Sequence, residues 1–381
     1  MGLLRLAIIR VALAAVLSTA LMQGDAIAHE VQPSVADVQL DADRAVIRLT
    51  TAVEPLIAGI DLGAVDDTDD APESDRHDAL RALPPEALAD ALRAAWPAIS
   101  EGIVLRSGTA SVRPDLEAIE IPAVGDVEIR RDSVLTLGAP LPPGADPVVV
   151  EWDGTLGPLI LRQGEAGTGY ETFLTAGGAT DPLPRDGVAA QSGLALFWEY
   201  VVQGVLHIVP LGLDHILFVL GLFFYSLALR ALIWQVSAFT LAHTVTLALA
   251  VLGLVSVPAA VVEPLIALSI TVVAIENVWR GGGREVGWGR IAVIFAFGLL
   301  HGLGFASVFS ELDIGGALIL KLVAFNIGVE IGQLGVIAAA FLVVGWWAGG
   351  KPWYRRAVAI PASVAIGAVG LWWFLERTVL A

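Results

Sequence analysis

Four of the six histidines, His207, His215, His243 and His301, fall in strongly apolar stretches of the second half of the chain. Asp214, Glu276 and Glu330 share those stretches. An ionisable group at bilayer depth is costly, so it faces a bundle interior or a wet cavity and acts there on an ion or a proton. Imidazole and carboxylate are also ligands for divalent transition metals. The set therefore predicts a metal site of His207, Asp214, His215, His243, His301 and Glu330 inside a helical membrane bundle.

The spacing of these residues adds detail. On a regular helix the step of seven from His207 to Asp214 would put them nearly in line, but Pro210 lies between them and breaks a helix. Asp214 reads either as a helix cap or as the carboxylate that orients His215, or as both. His243 lies in Thr240-Leu-Ala-His243-Thr244, where the two threonines are candidates for a pathway or for support behind the metal ligands. Asn326, Glu330 and Gln333 share one helical face at steps of four and three. Gly298 and Gly302 flank His301, and Gly328 and Gly332 flank Glu330. Such small-residue pairs let helix backbones approach, which predicts close packing of the two helices concerned. Glu276 reads either as the inner end of a pathway or as a cap near Arg280.

The donor set bears on the metal. The chain has no cysteine, and its two methionines are Met1 and Met22. Soft ions such as Cu(I) favour sulfur, so imidazole and carboxylate point to Ni, Co or Zn.

The elements that must hold these residues follow from composition. The chain is 56% hydrophobic with a mean hydropathy of +0.74, too apolar for an ordinary soluble protein. Residues 29–196 carry 29 Asp and Glu against 11 Arg and no Lys, whereas residues 197–381 carry 9 acids and 9 bases. An acidic soluble part is thus joined to a neutral membrane part. Nucleic acid is excluded as a partner by the acidic surface; a lipid bilayer and a metal ion are expected, and a homo-oligomer is left open. Residues 1–28 read as a signal peptide, with Arg5 and Arg10 before an apolar core and Ala26-Ile27-Ala28 as the cleavage site. Cleavage would leave His29 first, where its amine and imidazole could chelate a periplasmic metal ion or simply begin the chain.

Residues 29–180 read as a β-rich, sandwich-like domain, with short Val-, Ile- and Thr-rich segments separated by Gly, Pro and Asp. A helix is expected over 84–96, and a mobile acidic loop over Asp66 to Asp78 with a solvated His77. Residues 181–193 read as a linker. From 194 onward an all-α polytopic bundle is expected: a half-helix over 194–209, then six spans near 212–230, 232–253, 258–279, 290–311, 316–345 and 356–376. Arg230, the group Arg280, Arg284 and Arg290, and the group Lys351, Arg355 and Arg356 would then face the cytoplasm. The loop carrying Glu311 and Asp313 would face outward, and Lys321 would snorkel to the outer surface.

At several of these segments the sequence resembles the HupE/UreJ family of bacterial membrane proteins. They are His207-x6-Asp214-His215-Ile-Leu-Phe-Val-Leu-Gly-Leu, Phe239-Thr-Leu-Ala-His243-Thr-Val-Thr, Ala267-Leu-Ser-Ile, Phe297-Gly-Leu-Leu-His301-Gly-Leu-Gly-Phe and Asn326-Ile-Gly-Val-Glu330-Ile-Gly-Gln. His29-Glu-Val-x-Pro also looks like the opening of the family's exported form. That family is associated with nickel supply to hydrogenase and urease. The resemblance implies a nickel or cobalt permease in the bacterial inner membrane, multi-pass, with its N-terminal domain in the periplasm. Two other readings of the residues stand beside it. One is an intramembrane zinc hydrolase with Glu330 as general base; the other is a scaffold whose polar groups only join helices.

Overall fold

The computed structural model describes residues 31–65, 67–125, 127, 130–164, 169–175, 177–280, 286–304 and 317–380. Residues 1–28, read as a signal peptide, and His29, Arg284, Glu311 and Asp313 lie outside the described residues. The chain divides into two compact units, one essentially residues 25–196 and the other dominated by residues 197–381.

The first unit is β-rich. Its strands are β1 (Ser34–Leu40), β2 (Arg44–Ala52), β3 (Ile103–Ser107), β4 (Ala110–Val112), β5 (Asp115–Glu120), β6 (Asp132–Pro140), β7 (Val148–Trp152), β8 (Leu159–Gln163), β9 (Tyr170–Leu174) and β10 (Gly178–Ala179). They form one sheet of order β5-β6-β2-β1-β8-β9 and another of order β10-β7-β3-β4. Alternation drives this arrangement: in β2, Ala45, Ile47 and Leu49 are buried while Arg44 and Arg48 face out. Residues of both sheets, among them Leu49, Leu137, Ile103 and Val150, share one apolar core, as the sandwich-like expectation required.

Three helices interrupt the strands, α1 (Glu54–Ala58), α2 (Ser74–Arg81) and α3 (Pro85–Ile99). The expected helix is α3; Pro85 opens it, and Leu88, Leu92, Trp96 and Ile99 form its buried stripe. The acidic stretch corrects an expectation. Most of it is helical rather than a loop, and His77 on α2 is buried at 5% exposure rather than solvated. The acidic residues occupy the outer face and mask the apolar spacing of the inner one. The segment read as a linker is also held down. Buried Arg185 donates to the carbonyls of Ala42, Pro142 and Asp146 and to Ser107 Oγ.

The second unit is helical, with α4 (Gly193–Ile208), α5 (Leu213–Tyr225), α6 (Leu229–Val251), α7 (Ala259–Arg280), α8 (Trp288–Gly304), α9 (Leu318–Ala340) and α10 (Ile360–Leu375). Among the described residues four helical runs are long and apolar enough to cross a bilayer: Leu229–Val251, Ala260–Arg280, Leu318–Ala348 and Arg355–Val379. The pair α4 and α5 is bent by 75° at the break between them, and counts as a fifth span if taken as one broken crossing. The span expected at 212–230 is therefore the 13-residue second half of that pair. At about 1.5 Å per residue α5 is only about 20 Å long, too short to cross alone. Of the span expected at 290–311 the described part is α8, an apolar helix of 17 residues that is shorter than those four runs, with 305–311 outside the described residues.

Helix packing also differs from the glycine-based expectation. A Cβ on Gly298 would come within 2.5 Å of the Phe239 carbonyl oxygen, and one on Gly302 within 3.0 Å of His243 Cα. These glycines thus let α8 close onto α6, not onto α9. Gly328 of α9 instead meets Gly204 of α4, where an added Cβ on either would lie 2.9 Å from the other's Cα. Small residues reveal that a backbone approaches; they carry no signal for which backbone it is. Lys321 is 1% exposed with its Nζ 5.3 Å from the Tyr200 ring centroid, so it does not snorkel.

Candidate metal centre

The break between α4 and α5 positions the first part of the site. His207 lies in the last turn of α4, and Asp214 and His215 lie in the first turn of α5. Irregular backbone at membrane depth is tolerated where protein or a polar cavity satisfies it, and such broken helices recur at ion sites. Gly212 occupies the cap position of α5, so Asp214 is not the N-cap. Its Oδ1 accepts both the His215 backbone N–H at 2.7 Å and His215 Nδ1 at 2.9 Å. One carboxylate therefore fixes the helix start and the ring together.

His243 comes from α6 and His301 from α8. The ring centroids of His207 and His301 lie 4.8 and 4.9 Å from that of His215, and His243 lies 5.9 Å from it. Donor atoms of His207, His215 and His243 all fall within 4.8 Å of one another, as do those of Asp214, His215 and His301. His215 belongs to both groups and is the centre of the site. His215, His243 and His301 are almost wholly buried, while His207 is half-buried. Phe218 and Phe239 form an apolar wall, with ring centroids 5.4 and 5.0 Å from His301.

Each of the three buried rings is held from behind by a different group. Asp214 holds His215, Asn326 Oδ1 lies 3.3 Å from His243 Nδ1, and Ser269 Oγ lies 3.3 Å from His301 Nε2. The opposite nitrogens, His215 Nε2, His243 Nε2 and His301 Nδ1, are buried with no hydrogen-bond partner among the described residues. Buried polar atoms are nearly always partnered, so three orphans in one cluster require an explanation. Metal-binding histidines have this arrangement, with one nitrogen on an outer acceptor and the other bare for the ion.

Residues 185–377 match the family described as HupE / UreJ protein. The chain belongs to the HupE/UreJ family. This family is associated with nickel and cobalt transport, and the matched stretch contains every residue of the cluster. No curated protein and no solved structure gives a match.

The remaining expected residues of this HupE/UreJ chain make other contacts. Glu330 is not among the grouped donors; its Oε1 accepts from Ser237 Oγ at 2.7 Å. Thr240 Oγ1 lies 2.9 Å from Gln333 Oε1, so Asn326, Gln333 and Glu330 of α9 face His243, Thr240 and Ser237 of α6 along one polar seam. The Thr244 hydroxyl donates to the Thr240 carbonyl in its own helix. Glu276 pairs with Arg290, whose Nε donates to Gln235 Oε1 at 2.7 Å and whose guanidinium sits 3.5 Å from the Tyr225 ring centroid.

Ser269 and Arg290 were not singled out as functional by sequence reasoning. Ser269 lies in the Ala267-Leu-Ser-Ile segment of the resemblance as a lone hydroxyl in an apolar helix, and Arg290 reads as an ordinary positive-inside residue. Outside the membrane unit, Asp69, His77 and Asp78 also gather, but both carboxylates are exposed. Surface acids commonly sit this way without an ion.

Proposed function

We propose that the membrane unit is a permease for a divalent transition metal ion of the nickel or cobalt type. His207, Asp214, His215, His243 and His301 would bind the ion in transit. The observation that carries this reading is the set of three partnerless ring nitrogens beside the Asp214 carboxylate. The sulfur-free donor set suits Ni(II), Co(II) or Zn(II) better than Cu(I). Family membership favours the first two.

The ion would enter at half-buried His207. It would leave along the α6–α9 seam, where Thr240, Gln333, Ser237 and Glu330 offer oxygen atoms. A transported ion must be bound weakly enough to leave, and a run of single oxygens suits that. The bond from Ser237 to Glu330 supports a pathway role for this carboxylate more than the role of a general base over a metal-bound water. Arg290 with Glu276 would close the opposite end of the helices that carry the histidines. By this reading the protein resides in the bacterial inner membrane.

The test is nickel uptake into proteoliposomes. Uptake by the wild type should be saturable and should fall to the protein-free background in His301→Ala. Equal uptake by both would exclude this site from transport.

A further inference from the structure

Hydrogen-bond polarity around the three buried rings determines which nitrogen of each is free. A neutral imidazole has one N–H donor and one acceptor nitrogen, and the outer partner decides which is which. For His215 the partner is the Asp214 carboxylate, which only accepts, so Nδ1 carries the proton and Nε2 is bare. For His243 the partner is Asn326, whose amide nitrogen already donates to the Leu322 carbonyl at 2.8 Å. Its oxygen therefore faces the ring, so His243 again carries the proton on Nδ1.

His301 is reversed. Its Nε2 faces Ser269 Oγ, and that hydroxyl lies 2.7 Å from the Ile266 carbonyl oxygen. A carbonyl only accepts, so the single hydroxyl proton goes to Ile266. The serine oxygen then has only lone pairs to offer the ring, and Nε2 must be the donor. The bare nitrogen is Nδ1, and it lies 3.6 Å from Asp214 Oδ2. Two acceptors facing each other in a buried site are stabilised by a cation bound to both.

We infer that Ser269 is a positioning residue: it fixes His301 as the Nε2–H tautomer, so that His301 binds the ion through Nδ1 while His215 and His243 bind through Nε2. The inference rests on the reading of the cluster as a metal site, and it adds which atom of each ring binds and what sets that choice. Ser269 is the hydrogen-bond partner of His301 Nε2 among the described residues, so its loss leaves nothing there to hold the proton on that nitrogen. Loss of such an outer partner typically costs 10- to 100-fold in metal affinity.

The experiment uses the full chain in detergent with 15N-labelled histidine. Long-range proton–nitrogen correlation spectra of the metal-free protein report which nitrogen of each ring carries the proton. The His301 signals are assigned as those absent from His301→Asn. In the wild type, His301 should be the Nε2–H form while His215 and His243 are Nδ1–H. In Ser269→Ala the His301 ring should lose its single tautomer, and the dissociation constant for Ni(II) should rise about 10-fold. A wild-type His301 protonated on Nδ1 would overturn the inference without any variant. So would a Ser269→Ala protein with unchanged tautomer or unchanged affinity. Failure of the wild type to bind Ni(II) would instead overturn the functional reading, because the tautomers are read without metal.

Discussion

His215→Ala should weaken nickel binding at least about 100-fold, or about 3 kcal/mol at 1.4 kcal/mol per decade. His215 has the largest expected effect because it belongs to both donor groups and packs against the other three histidines. Its loss also releases Asp214 Oδ1 from the ring nitrogen it accepts from. Two neighbours are disturbed at once, so the effect should exceed that of His207→Ala, whose ring is half-buried and at the edge. Equilibrium dialysis against Ni(II), with folding checked by size-exclusion profile, measures the difference. Equal losses for the two variants would contradict a site centred on His215.

The second large effect concerns stability. Arg290→Ala should lower the stability of the membrane unit by about 3 kcal/mol, the lower end of the cost of breaking a buried ion pair. Arg290 is 6% exposed and meets Glu276, Gln235 and Tyr225 together, so its removal leaves a carboxylate and an amide oxygen without their cation. The lower end applies because the Glu276 side chain is 26% exposed and can recover some water. The double variant with Glu276→Ala should regain more than half of the loss, since no charge is then left unpaired. Denaturation midpoints in one detergent read this cycle; a double variant as unstable as the single one would deny the coupling. Nickel affinity should be little changed in Arg290→Ala. Eleven residues of α8 separate Arg290 from His301, roughly 16 Å along the helix.

What the sequence revealed, and what it hid, has a physical pattern. The histidines and Asp214 were legible because ionisable groups in apolar stretches are expensive, whatever holds them. The half-helix ending near Pro210 was legible because proline lacks a backbone donor. The prolines and the Ala/Leu run that open α3 were legible too, as was the β-rich character of the first unit. Pairing across helices was not legible. Gly298 and Gly328 both signalled a close approach, yet their partners were α6 and α4, which no local pattern encodes. Glu276 reads in the sequence as a pathway end or a cap near Arg280, but it pairs with Arg290 across a helix connection. His77 and Lys321 were expected in water because of their type and neighbours, yet tertiary packing buries both. Glu330 joins the histidines in the sequence reading because it too is an ionisable group in an apolar stretch. Its hydrogen bond to Ser237 sets it farther along the α6–α9 seam.

The nickel K-edge X-ray absorption spectrum of the loaded, detergent-purified wild type tests the metal site directly. The chain has no cysteine, and its methionines occur only at positions 1 and 22, far in sequence from the histidine-bearing helices, so sulfur scattering is not expected. The spectrum should contain the multiple-scattering pattern of at least three imidazole rings with oxygen completing the shell, matching the orphaned nitrogens of His215, His243 and His301 beside Asp214. A shell of water-like oxygen alone, with no imidazole pattern, would contradict binding at the intramembrane histidines.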